Sequence, residues 1–217
     1  MKKTIIFSVL AIALVAAILA GCTDTDVVLK YSPTSFNDII KKDPALVNSD
    51  TSDNYFKFAF DGITTLKVSK DFKATGKEDI LLETPLKPFT DAGLDVSRLG
   101  EGYKTDGDKL YLTGDYGDGT GAKATITDAL FEAVKNDRKN LTYHQSLDHY
   151  GVKLLKGKFE WAKDYTKNDK DIVFVIAAKP LADLGVNVQK IDGWAFMTIQ
   201  DADGTNVDIL AKPYDLK

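Results

Sequence analysis

The chain has 217 residues, 44% hydrophobic and 28% charged, with a formal charge of −4 and one cysteine. This composition can build a globular core, and a lone thiol excludes an internal disulfide framework. Arg98 and Arg138 are the only arginines and no basic stripe occurs, which excludes nucleic acid as an expected partner.

Residues 1–21, MKKTIIFSVLAIALVAAILAG, open with Lys2 and Lys3, run apolar from Ile5 to Leu19 and close on small residues. That is the layout of a secretory leader. The apolar run is shorter than the roughly 20 residues of a spanning helix, so it is not counted as core. It ends on Leu19-Ala20-Gly21-Cys22, which resembles the lipobox of prokaryotic membrane lipoproteins. The resemblance covers the first 22 residues, and no family is identified for the rest. It implies cleavage before Cys22, a diacylglyceryl group on the Cys22 thiol and often a further fatty-acyl chain, such as palmitate, on the freed amine. Two chains anchor stably where one is marginal. The implied location is the cell membrane or the outer membrane, lipid-anchored and facing the extracytoplasmic side. Thr23 follows Cys22, with Asp24 one place later, and this leaves the choice of membrane open.

The leader removes two basic residues of 28, so the remaining 196 residues carry 26 basic against 32 acidic side chains, a formal charge of −6. Residues 22–33 are polar except Val27-Val28-Leu29 and Tyr31 and read as a tether. Ser32-Pro33 then opens a short helix with Phe36, Ile39 and Ile40 on one face, ending at Asp43-Pro44. Phe56, Phe58 and Phe60 alternate along a strand, and Asp61-Gly62 predicts a two-residue hairpin turn into a return strand over 63–72. Further strands are expected over 79–84 and 109–113. A glycine-rich stretch, residues 114–123, lacks Lys directly after its last glycine and so fails the phosphate-loop pattern; it reads as a linker. Ile126, Ala129, Leu130, Ala133, Val134 and Leu141 predict an amphipathic helix. Strands are expected after it over 143–150, 152–161, 171–178, 194–200 and 207–210.

One sentence is written twice. KPFTDAGLDVSRL, residues 87–99, returns as KPLADLGVNVQKI, residues 179–191, at an offset of 92 with five identities. The flanks follow: Glu78-Asp79-Ile80 faces Lys170-Asp171-Ile172 at 92, and Phe36-Asn37-Asp38 faces Ile126-Thr127-Asp128 at 90. Self-similarity at a fixed period reorganises the whole fold reading. The expected class is α+β: a first unit over 34–120 and a second over 121–217, each one helix followed by a four- to five-stranded antiparallel sheet. By element order this resembles the cystatin-like architecture in tandem. Pro88 and Pro180 are expected to end strands, and Gly93 and Gly185 to suit a turn or a helix C-terminus.

Two constellations could carry chemistry. His144 and His149, the only histidines, flank Asp148. Five residues apart they fall on opposite faces of a single strand, so a metal would need a bent loop to gather all three. Asp201, Asp203 and Asp208 alternate around Gly204 in the manner of a calcium loop, but no terminal glutamate completes an EF-hand. A hairpin turn is the simpler reading. No Gly-x-Ser-x-Gly elbow occurs and no nucleophile is named, so no catalytic residue and no cofactor are expected. The sequence favours a lipid-anchored extracytoplasmic binding or scaffold module for an envelope protein or small ligand. The alternative is a cell-envelope enzyme or metal-dependent factor using His144, Asp148 and His149.

Overall fold

A computed structural model describes residues 36–48, 52–73, 78–117, 121–132, 140–144, 149–162, 171–200 and 204–214. Helix α1, residues 36–42, buries Phe36 and Ile39 and gives way at Asp43 to the 3-10 turn Pro44–Leu46, because a proline nitrogen has no hydrogen to continue the ladder. The first sheet contains β1 (Val47–Asn48), β2 (Tyr55–Ala59), β3 (Thr65–Ser69), β4 (Ile80–Pro85), β5 (Tyr103–Asp106) and β6 (Lys109–Gly114). Its order is β1-β2-β3-β4-β6-β5, with every pair antiparallel. Short helix α2 (Lys87–Asp91) and the 3-10 turn Val96–Arg98 carry the chain from β4 to β5.

The second half repeats this plan. Helix α3 (Ile126–Glu132) precedes β7 (Leu141–His144), β8 (His149–Leu154), β9 (Gly157–Ala162) and β10 (Ile172–Ala177). Helix α4 (Lys179–Asp183) and the turn Val188–Lys190 lead to β11 (Ala195–Gln200) and β12 (Asn206–Pro213). The antiparallel order β7-β8-β9-β10-β12-β11 is that of the first sheet, strand for strand. The α+β class therefore holds, with two six-stranded sheets rather than sheets of four or five strands.

The added strands have local causes. Val47–Asn48 and Tyr103–Asp106 are too short to show a period of two. The expected strands 143–150 and 152–161 each break: β7 and β8 are separate strands, and β8 turns into β9 at Leu155-Lys156, with Leu155 at φ 57. Leu141 begins a strand instead of extending the helix. The Asp61 turn is also longer than two residues. Phe60 N donates to Thr64 O at 2.8 Å, and Asp61 Oδ1 accepts the amides of Ile63 and Thr64, which closes a three-residue loop over Gly62 at φ 82.

Alternation along the strands sends one set of side chains between the sheets. Phe58, Leu66, Val68 and Leu82 from the first sheet, with Phe60 just past β2, meet Phe159, Trp161, Phe174 and Ile176 from the second in one buried cluster. Phe159 is its centre: its ring lies 5.4 Å from Phe58, 6.4 Å from Phe60 and 5.6 Å from Phe36, mostly edge to face. The helices cross between halves. Phe36 of α1 packs on Phe159 and Trp161 of β9, while α3 packs on β3. Neither helix lies across its own sheet alone, which departs from the cystatin-like expectation. Thr127 Oγ1 donates to Asn37 Oδ1 at 2.6 Å, joining two positions that the internal repeat makes equivalent.

The doubled sentence forms two corners that touch. Pro88 and Pro180 stand in the first turns of α2 and α4, not at strand ends, where a missing N–H costs nothing. Both helices end on a glycine of positive φ, Gly93 at 104° and Gly185 at 94°, and the following amide returns to the helix: Leu94 N to Phe89 O and Val186 N to Leu181 O. Asn187 N then donates to Ala92 O at 2.6 Å, and Arg98 Nη2 donates to Asp183 O at 2.9 Å. A Cβ on Gly93 would lie 2.9 Å from Gly185 O, whereas one on Gly185 would meet nothing closer than 3.6 Å. Both positions resist a side chain by backbone conformation, but Gly93 also seats the opposing corner. Gly93→Ala is expected to lower the unfolding free energy by about 2–4 kcal/mol and Gly185→Ala by about 1–2 kcal/mol, measured by urea denaturation.

The glycine-rich linker is packed where it is described. Asp79, beside β4, accepts the amides of Tyr116 and Gly117, and Leu155 N donates to the Tyr116 hydroxyl. Burial pushes the Asp79 carboxyl above its usual range despite those two donors.

Candidate functional site

The sequence candidates fare differently. Cys22, Asp148, Asp201 and Asp203 lie outside the described residues. Asp208 is on β12, where its Oδ1 accepts from Thr198 Oγ1 at 2.7 Å across the β11–β12 pair, and Gly204, at φ 84, precedes β12 as a hairpin turn requires.

The histidines are not on opposite faces of one strand. They belong to two antiparallel strands, and His144 is the register partner of His149 across β7 and β8, which places the two residues on one face of the sheet. That face is the one turned away from the shared core, since Tyr150, Val152 and Leu154 point the other way into it. The side chain of His149 lies with Nδ1 3.8 Å from Glu160 Oε2 of β9, and only 12% of the His149 side chain and 8% of the Glu160 side chain are exposed. Nδ1 is buried without a hydrogen-bond partner among the described residues. Gly151 lies between them on the same face: a Cβ there would stand 2.8 Å from Thr142 Oγ1 and 3.1 Å from Glu160 Cγ. Sequence reading missed Glu160 because its relation to His149 exists only through the β8–β9 register. Among the described side chains, no three His, Cys, Asp or Glu groups converge as metal ligands.

Other buried charges hold the fold. Glu83 on β4 takes ammonium groups from Lys67 and Lys109; burial raises its carboxyl, but the two lysines outweigh that and hold it below the ordinary range. Lys212 on β12 faces inward, where its ammonium meets Asp61 of the first half, donates to Gly193 O at 2.6 Å and lies 5.6 Å from the Trp194 ring. A depression of about 490 Å³ beside α3 is lined by Ala122, Lys123, Thr127, Asp128, Phe131 and Glu132, and Lys123 and Glu132 pair across it at 3.1 Å. Its charges serve each other.

One sheet edge differs from the rest. Of the four outer strands, β1 has two residues, β5 and β7 four, and β11 six. Strand β11, AFMTIQ, carries no charge and leaves Met197 48% exposed; its counterpart β5, YKTD, carries Lys104 and Asp106. Among the described residues no strand pairs with the outer side of β11. Sheet edges are commonly blunted by charge, proline or shortness, since unpaired N–H and C=O groups otherwise recruit another strand. Here none of these is present.

No family model, no curated protein and no solved structure matches this chain. Among the described residues no helix is long and apolar enough to cross a membrane.

Proposed function

We propose that this chain is two copies of one helix-and-sheet unit, held at the extracytoplasmic side of a membrane by lipid on Cys22, and that it binds an extended segment of another envelope protein along β11. The single observation carrying this reading is the six-residue, uncharged, outward-open edge of β11 beside the charged and shorter β5 that occupies the same place in the other sheet. An added strand would gain main-chain hydrogen bonds from the edge and side-chain contact with Met197. A second copy of the chain is a poorer occupant, because it would bring together two bodies of formal charge −6. The reading extends to duplication because strand order, crossover helices and touching corners all correspond between halves.

A photo-crosslinking residue at Ile199 tests the docking in intact cells, with Lys104 as the control edge. The expected outcome is one discrete adduct from position 199, none from 104, and loss of the adduct on Met197→Lys. Because Met197 is exposed, that substitution should change stability by less than about 0.5 kcal/mol. Identical adducts from both edges, an adduct of twice the chain's own mass, or indifference to Met197→Lys would oppose it.

A further inference from the structure

We propose that the outer face of the second sheet, over β10, β12 and β11, is a docking surface for an amphipathic helix of a partner protein, apolar on the side toward the sheet and acidic along one flank. The surface adjoins the β11 edge but does not require a strand to be docked there.

The doubled unit supplies its own comparison. Glu83 pairs in register with Tyr111, as Val175 does with Ala211; Lys109 faces Pro85, as Ile209 faces Ala177. Lys104 and Asp106 face Tyr111 and Lys109, as Ala195 and Met197 face Ala211 and Ile209. Strand for strand, Glu83, Lys109, Lys104 and Asp106 of the first sheet correspond to Val175, Ile209, Ala195 and Met197 of the second. In the first sheet the charges neutralise one another: Glu83 takes Lys67 and Lys109, and Glu78 takes Lys104 at 2.6 Å. In the second, all four positions are apolar. Strand β10 reads IVFVIA, a continuous apolar run of the kind that belongs to a strand covered on both faces. The shared core covers one face only. Ile172, Phe174 and Ile176 belong to the buried cluster, whereas Val173, Val175, Met197, Ile199, Val207 and Ile209 neither belong to it nor pack on it. The buried apolar side chains of the four described helices also lie in that cluster, so none of them covers this face.

Dimensions and charge select the occupant. Neighbouring strands lie about 4.8 Å apart, so three of them span about 10 Å, the diameter of one helix; a six-residue strand is about 20 Å long, the rise of about 13 helical residues. Beyond this field, on the same face, Lys158 lies beside Val175, and Lys153 is directly opposite Lys158. Like charges so opposed repel, and neither ammonium has an ion-pair partner among the described residues. Carboxylates on the near flank of the helix would neutralise both. A bilayer is a worse occupant, because the unpaired amides and carbonyls of the β11 edge do not enter hydrocarbon. A second copy presenting this face would bring lysines where carboxylates are needed.

Binding of two stapled fluorescent helical peptides to the full chain tests the surface. Each has about four turns and leucines along one side; one carries glutamates on a flank, the other lysines at the same places. The glutamate peptide is expected to bind saturably and about tenfold or more tightly than the lysine peptide, and Lys153→Glu/Lys158→Glu should reverse that order. Val175→Glu/Ile209→Lys rebuilds the charge pair that the first sheet already accommodates, so its circular dichroism spectrum should be unchanged. It should nevertheless weaken the glutamate peptide about tenfold or more, because it puts charges under the apolar side of the helix. Equal binding of the two peptides, no saturable binding of either, or an unaltered order in the lysine variant would overturn the proposal. So would tighter association with phosphatidylglycerol vesicles than with the glutamate peptide, or a dimer of the unaltered chain that Val175→Glu/Ile209→Lys abolishes.

Discussion

Phe159→Ala is expected to lower the unfolding free energy by about 3–5 kcal/mol, the range for truncating a fully buried aromatic. Phe159 is 1% exposed and its ring meets Phe36, Phe58, Phe60 and Trp161, so the cavity would open among groups from α1, β2, the loop after it and β9 at once. The halves should consequently be lost together. Both tryptophans, Trp161 and Trp194, belong to the second half, whereas far-ultraviolet circular dichroism reports both sheets. In the unaltered chain and in the variant, the two signals should trace one coincident urea transition, shifted to lower urea in the variant. Separate transitions would mean that the two sheets do not share a core.

Lys212→Met should cost about 3–5 kcal/mol, because it leaves Asp61 without its ammonium partner in a poorly solvated place between the halves. Lys212 has only 6% of its side chain exposed, against 23% for Asp61, so the lysine side carries the larger desolvation. The double variant Lys212→Met/Asp61→Ala is expected to recover part of the loss. The acid side gives a second readout. Burial raises the Asp61 carboxyl, but Lys212 and the Thr64 and Ile63 amides outweigh it, so its folded value lies below the ordinary 3.8. A depressed carboxylate contributes stability that is fully present above its unfolded value and is lost as pH falls through its folded value. The unaltered chain should lose that contribution below about pH 4, and Lys212→Met should lose less over the same interval.

Much of the architecture could be read from residue patterns because it rests on local periods. Phe56, Phe58 and Phe60 alternate and form β2 and its exit; Ile126, Ala129 and Leu130 share a helix face and are buried; the strands expected at 171–178 and 194–200 appear within a residue or so. The repeat of residues 87–99 in 179–191 located both crossover corners, yet Pro88 and Pro180 turned out to begin helices, since a proline removes a donor equally at a strand end and in a helix first turn. What remained illegible depends on register and on contacts far apart in the chain. No pattern within 87–99 announces that Gly93 will face Gly185, and no spacing rule brings Glu160 to His149. The histidines were misread for a related cause. A single strand puts residues five apart on opposite faces, but these two belong to separate strands, β7 and β8, which pair, and no glycine or proline lies between positions 144 and 149 to announce the break. The open edge of β11 was legible in composition, as AFMTIQ, but its place at the end of the sheet was not.

The proposed role depends first on the chain being held at a membrane, and the mass of the amino-terminal peptide of the protein purified from its native cells tests this most directly. A peptide beginning at Cys22 and heavier by a diacylglyceryl group is the predicted result. An intact Met1 terminus, or a peptide beginning near Cys22 without lipid, would contradict it.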